Sequence, residues 1–326
     1  MKLLSALAIA FALSTVSPLP AMAQSASAPA ADTLPTPANL ARRGVQRFLF
    51  DGWAGPSFPV WYFRPAGVAA DAPVLFVVHG RGRDADRYIG DWIELATQNG
   101  TIVVVPEFTN EAFPGSRGFN HGNFADEQGQ TNPRDRWSYS AIEAVFDAIV
   151  AREALTTPRY NLFGHSAGAQ FVHRFVLTGG GPRLGRAISA NAGSYAMTTD
   201  QVGWPFGVGG LPSGAWNAGQ AYAQPMIILL GTADNDPDYP SLPREPQAMA
   251  QGPHRLDRGQ RFYRIARADS ATHEAPFNWQ CGLVPGVGHD NPGMAPYAMA
   301  LITGRLELSS GADCRELSLD ERSSSE

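Results

Sequence analysis

Ser166, Asp234 and His289 each stand at or just beyond the end of a short apolar run, and their side chains are the three parts of a nucleophilic acyl-transfer site. A serine hydroxyl attacks a carbonyl only when a base takes its proton. An imidazole suits that task near neutral pH. A carboxylate behind the ring fixes its tautomer and stabilises its charged form. Ser166 is the most clearly marked of the three. It sits in Gly164-His165-Ser166-Ala167-Gly168, after the strand-like Tyr160 to Phe163 and before an amphipathic stretch with Phe171, Val172, Phe175 and Val176 on one side. Strand, G-x-S-x-G, helix is the setting of a nucleophile elbow. The small residues on either side let strand and helix approach, and the start of the helix favours negative charge.

His254, His273 and His289 all follow this motif and the acid loop. His254 lies in an Arg-rich helical stretch and His273 in a polar connection. His289 follows the last apolar strand on the turn Pro285-Gly-Val-Gly-His289, and is the expected base. Asp234 ends its strand and is the expected acid, with Asp236 next and Asp238 beyond it. A negatively charged oxygen would need two backbone donors, for which Ala167 and Arg81 are placed. His79, His165, Asn120 and Trp204 are the expected substrate contacts.

These positions require a frame. Strand character falls at 45–51 and 58–64, separated by a Gly/Pro turn as in an antiparallel hairpin. It falls again at 73–79, 101–105, 160–163, 185–190, 225–230 and 277–284. Val74 to Val78 is continuously apolar, as a strand buried on both faces of a parallel sheet must be. Helical patterns occupy 86–98, 137–152 and the stretch after Ser166, then parts of 238–268 and 294–303. Such alternation makes an α/β doubly wound, mostly parallel sheet with an N-terminal antiparallel hairpin. Sites on such sheets gather beyond the carboxyl ends of the strands, where all three residues fall. Two long segments interrupt the alternation. The first, 107–135, is polar and aromatic and carries Phe113, Phe119, Asn120, His121, Asn123 and Phe124. The second, 197–221, is Gly-rich with Trp204, Phe206 and Trp216, and reads as an insertion over the site.

The 326 residues suit one sizeable domain. Lys2, the apolar run Leu3 to Val16 and Ala21-Met22-Ala23 read as a signal peptide over 1–23. An Ala/Ser/Pro-rich linker follows over 24–39, and a polar tail, expected to be mobile past Cys314, occupies 309–326. These features predict a periplasmic or secreted chain without a stable membrane anchor. Lys2 is the single lysine, which excludes a P-loop, a Schiff-base lysine and a Ser-Lys pair. The net charge of −5 disfavours nucleic acid as a partner. No metal or cofactor motif is present. Cys281 and Cys314 are candidates for a disulfide in an oxidising compartment.

The motifs Val-Val-His79-Gly80, Gly164-His165-Ser166-Ala167-Gly168, Gly231-Thr-Ala-Asp234 and Val-Pro-Gly-Val-Gly288-His289 resemble those of the α/β-hydrolase serine esterases. The nearest group is the secreted polyhydroxybutyrate-depolymerase-like and feruloyl-esterase-like enzymes. Poly(aspartic acid) hydrolases resemble the same group. The likeness spans about 45–304, within a catalytic domain set at 40–308. It implies ester hydrolysis through an acyl-enzyme, with Ser166 as nucleophile, Asp234 as acid and His289 as base. Arg81 stands where such depolymerases often carry cysteine. Arg81, Arg83, Arg87 and Arg117 are placed to meet a carboxylate-bearing substrate, which leaves amide hydrolysis in an anionic polymer as a second expectation. The later run Arg255, Arg258, Arg261, Arg264 and Arg267 reads more readily as one solvated helix face. A non-catalytic binding protein on the same scaffold is the third expectation, although such proteins usually lack one of the three side chains retained here.

Overall fold

Val74, Phe76 and Val78 of strand β3 (Val74–Val78) pack into one hydrophobic core, while Leu75 and Val77 of the same strand pack into another. A strand buried on both faces must lie inside a sheet covered on both sides. The computed structural model describes residues 36–319. The expected signal peptide, linker residues 24–35 and the tail beyond 319 lie outside the described residues.

The chain enters through α1 (Pro37–Arg42), which takes in the last residues expected to be linker. Strands β1 (Val45–Phe50) and β2 (Phe58–Phe63) form the antiparallel hairpin. After β3 come α2 (Ala85–Asn99) and β4 (Ile102–Pro106). The long loop that follows contains only a short turn of helix, α3 (Gly115–Gly118), and a three-residue 3-10 turn before α4 (Ser140–Glu153). Next are β5 (Tyr160–His165), α5 (Ala167–Leu177) and β6 (Leu184–Ala190). Past the second insertion lie α6 (Ala218–Ala223), β7 (Met226–Gly231), α7 (Pro246–Met249) and α8 (Arg255–Thr272). The fold closes with β8 (Trp279–Val284), α9 (Asn291–Ile302) and β9 (Arg315–Glu316).

The described strands form one sheet in the order β1-β2-β4-β3-β5-β6-β7-β8-β9. The pairings of β2 are antiparallel and all others are parallel. Phe146 of α4, Phe171 of α5 and Phe262 of α8 cover one face, and Trp92 of α2 and Met294 of α9 cover the other. The expected mobile tail is partly corrected. Cys314 is bonded to Cys281, β9 pairs with β8, and Leu317 is buried. Among the described residues no helix is long and apolar enough to cross a membrane.

Candidate active site

Ser166 lies between β5 and α5 with φ 59° and ψ −116°. A left-handed φ is unfavourable for a side chain with a Cβ, and the surroundings enforce it. A Cβ on Gly164 would stand 2.2 Å from the carbonyl oxygen of Gly168, and one on Gly168 would stand 2.0 Å from that of Val78. Glycine is therefore required at both positions for strand, turn and helix to close. The turn leaves the hydroxyl at the tip and the N–H of Ala167 at the first position of α5, where no intrahelical acceptor exists.

The acid and base arrive on neighbouring strand ends. His289 Nε2 is 2.9 Å from Ser166 Oγ, and His289 Nδ1 is 2.8 Å from Asp234 Oδ2. Backbone bonds from Thr232 to Val284 and from Ala233 to Val287 join the two loops. Thr232 Oγ1 accepts from the N–H of Gly286. Asn191, itself at φ 53°, accepts from the N–H of Gly231 and donates to the carbonyl of Gly288. One side chain at the end of β6 thus ties the acid-bearing strand to the base-bearing turn. Asp236 lies away from this line. It is exposed, and its carboxylate caps the N–H of Asp238.

Behind Asp234 lies Arg255, one of the two arginines that correct the expected solvated stripe. Arg255 and Arg258 are fully buried, whereas Arg261 and Arg264 are exposed. Arg255 Nη1 is 3.3 Å from Asp234 Oδ1, and Nη2 donates to Ser241 Oγ at 3.0 Å. Its guanidinium covers the ring of Tyr239, whose edge meets His289. Burial holds the Arg255 pKa below its usual value, opposed by the Asp234 charge. Arg258 donates to the carbonyls of Gly193, Pro243 and Gly252 and so fixes the cleft wall.

The His165 ring lies 4.6 Å from that of His289, tilted by 35°, and takes its Nδ1 contact from the Tyr88 hydroxyl at 3.2 Å. Burial first, then the neighbouring His289, drives its pKa well below the usual range, so it stays neutral beside the base. His79 is not a substrate contact. It is fully buried, accepts from the N–H of Phe108 through Nε2, and therefore carries its proton on Nδ1, which faces the Gly80 carbonyl. Burial lowers its pKa to about 4. Its place is beneath the Gly80-Arg81 turn, which it links to the loop after β4. Arg83 belongs to the same support. It donates to the carbonyls of Phe108, Phe113 and Gly115 and stacks on Phe119.

Two cavities meet at Ser166. The larger, about 340 Å³, is lined by Arg81, Asn120, Ala167, Gln170, Phe206 and Arg244 among others. The smaller, about 290 Å³, contains His165 and His289. Arg81, Ser166 and Ser241 border both. Trp204 is corrected in turn. Its indole N–H donates to the carbonyl of His121 and its ring packs on Phe124, so Phe206 is the insertion's aromatic on the cleft. Trp216 packs against Tyr222. Of the early arginines, Arg81 is exposed at the cleft, Arg87 is paired with Asp84 and Asp91, and Arg117 is paired with Glu127. Asn191, Arg255 and Arg258 are the contributors that sequence reading missed. An arginine at the first position of a helix faces the wrong end of the dipole unless a carboxylate meets it, which is the one hint the sequence carries, and it concerns Arg255 alone.

Among solved structures, the chain is similar to poly(aspartic acid) hydrolase-1 from Sphingomonas sp. KT-1, with 40% identity and a TM-score of 0.76 over 79% of this chain and 98% of that one. It is also similar to LpqC, a poly(3-hydroxybutyrate) depolymerase from Bordetella parapertussis, with 33% identity and a TM-score of 0.75 over 81% and 90%. No family model and no curated protein matches the chain.

Proposed function

We infer that this chain, which belongs to the α/β-hydrolase family in the group of those depolymerase and hydrolase structures, is an exported serine hydrolase. It cleaves carboxylic ester bonds through an acyl-enzyme. The observation that carries the reading is the unbroken hydrogen-bonded line from Ser166 through His289 to Asp234.

In the first half-reaction Ser166 Oγ bonds to the acyl carbon as its proton passes to His289 Nε2. The carbonyl electrons move to the oxygen, which faces the N–H groups of Ala167 and Arg81. Asp234 holds the Nδ1–H and balances the imidazolium charge. The tetrahedral species then expels the alcohol, which leaves with the proton from His289. Water repeats the sequence with His289 as base, releasing the acid and restoring the serine. The leaving group must lie within reach of His289, so the smaller lobe receives it and the larger lobe holds the acyl part. Export follows from the N-terminal signal pattern and fits the Cys281–Cys314 bond.

A second reading, amide hydrolysis in an anionic polymer, draws on Arg81 and Arg244 at the cleft and on the likeness to the poly(aspartic acid) hydrolase. A fluorophosphonate should label the wild-type chain and fail to label Ser166→Ala, which should also lose kcat by a factor on the order of 10⁶. Labelling that persists in the variant overturns the serine mechanism, and absence of labelling and turnover in the wild type favours a binding protein. Short-chain esters, hydroxyalkanoate oligomers, feruloyl esters and polyaspartate then separate the two substrate readings.

A further inference from the structure

At the floor of the acyl lobe lies a polar network whose orientation is forced from one end. Arg174 is completely buried and its described partners are uncharged: the carbonyls of Pro205 and Gln170, and Gln170 Oε1 at 3.0 Å. A guanidinium has donors only, so Gln170 must turn its oxygen toward it. Asn120 meets that same oxygen at 3.1 Å and must therefore present its NH₂ group. Its own oxygen consequently points elsewhere. Asn120 is 2% exposed and lines the cavity that Ser166 opens into, and its Oδ1, shielded to less than 1 Å² in the free chain, has no hydrogen-bond partner among the described residues. The backbone on either side is fixed, since Tyr139 donates to the Asn120 carbonyl and Ser138 to that of Phe119. Rotating the amide would set two NH₂ donors or two oxygens against each other, so the buried acceptor is built in.

We propose that Asn120 Oδ1 accepts a hydrogen bond from an N–H or O–H donor on the acyl part of the substrate, and that it selects acyl groups carrying such a donor. The inference rests on the serine-hydrolase reading and on the assignment of the larger lobe to the acyl group. An acceptor buried without a partner penalises every substrate that cannot satisfy it. A linear polyester offers no donor along its backbone, whereas a polyamide offers one per repeat and a hydroxyacyl end group offers one at its terminus.

The test uses p-nitrophenyl esters in two isosteric pairs. N-acetyl-β-alanyl against 5-oxohexanoyl exchanges an N–H for CH₂, and 3-hydroxybutyryl against 3-methylbutyryl exchanges an O–H for CH₃. The donor member of at least one pair should be favoured about ten- to hundredfold in kcat/KM, and the pair that shows it identifies the donor. In Asn120→Leu that ratio should fall toward one. Equal rates within both pairs for the wild-type chain overturn the proposal without recourse to a variant. A folded Asn120→Leu that retains the wild-type ratio also overturns it. Loss of all turnover in Ser166→Ala, measured on the same esters, keeps failure of this inference distinct from failure of the hydrolase reading.

Discussion

Arg255 and His289 hold opposite oxygens of the Asp234 carboxylate, the guanidinium on Oδ1 at 3.3 Å and the imidazole on Oδ2 at 2.8 Å. The acid is thereby clamped from both sides in a buried setting. Breaking a buried pair by removing one partner costs about 3–5 kcal/mol. Arg255→Ala should lower stability by that order in denaturant titrations and should also lower kcat, because Asp234 loses one of its two fixed contacts. An unchanged unfolding midpoint would show that the clamp contributes nothing.

The choice between Asp234 and Asp236 yields a second prediction. Asp234→Asn should reduce kcat about 10⁴-fold by favouring the wrong imidazole tautomer. Asp236→Asn changes an exposed turn cap and should leave kcat within about twofold, with stability altered by no more than about 0.5 kcal/mol. Steady-state kinetics on one ester suffice to tell them apart.

Much of this arrangement can be read in the sequence, and the reasons are physical. Ser166, Asp234 and His289 stand out because each follows a largely apolar, largely buried strand, continuous only before Asp234. Arg255 does not, because arginines three apart are compatible with a solvated helix face, and only the fold reveals that the first turn of α8 passes under the cleft wall. Asn191 is hidden for a related reason: its importance lies in a left-handed φ and two loops that converge only in three dimensions. His79 and Trp204 mislead in the opposite sense. A histidine and an indole beside site motifs suggest substrate contacts, but here their polar atoms are taken by backbone groups.

Gly168→Ala should disrupt the elbow. The added methyl would meet the Val78 carbonyl at 2.0 Å, and backbone cannot yield as a flexible side chain can. Overpacking of this kind typically costs about 1–3 kcal/mol, and displacement of Ser166 should remove most activity. Retained fluorophosphonate labelling at the wild-type rate would contradict this.

Buried neutral histidines should make the fold acid-sensitive. Unfolded His79 takes up a proton near pH 6.5, whereas the folded residue does so only near pH 4. Its contribution is therefore fully present above pH 6.5 and is lost as the pH falls to about 4, amounting to about 3 kcal/mol. His165 and His173, both held well below their usual range by burial, act in the same sense. Urea melts between pH 7 and 4 should show stability declining, and His79→Gln should flatten the decline.

Cleaving the Cys281–Cys314 bond, which spans 33 residues, should cost about 3–4 kcal/mol through restored freedom of the unfolded chain. Melts with and without reductant would measure it.

That same bond has a bearing on association between molecules. Strand β9 contributes just two residues, which pair with Gly282 and Leu283 on the outer edge of β8, and the far end of β8 leads into the turn carrying His289. An uncovered edge offers open ladder positions on which another chain can add a strand. With the tail released, the border of the sheet nearest the base would become a surface for self-stacking. The cystine therefore acts as a selvedge, finishing the fabric where it would otherwise fray into its neighbours.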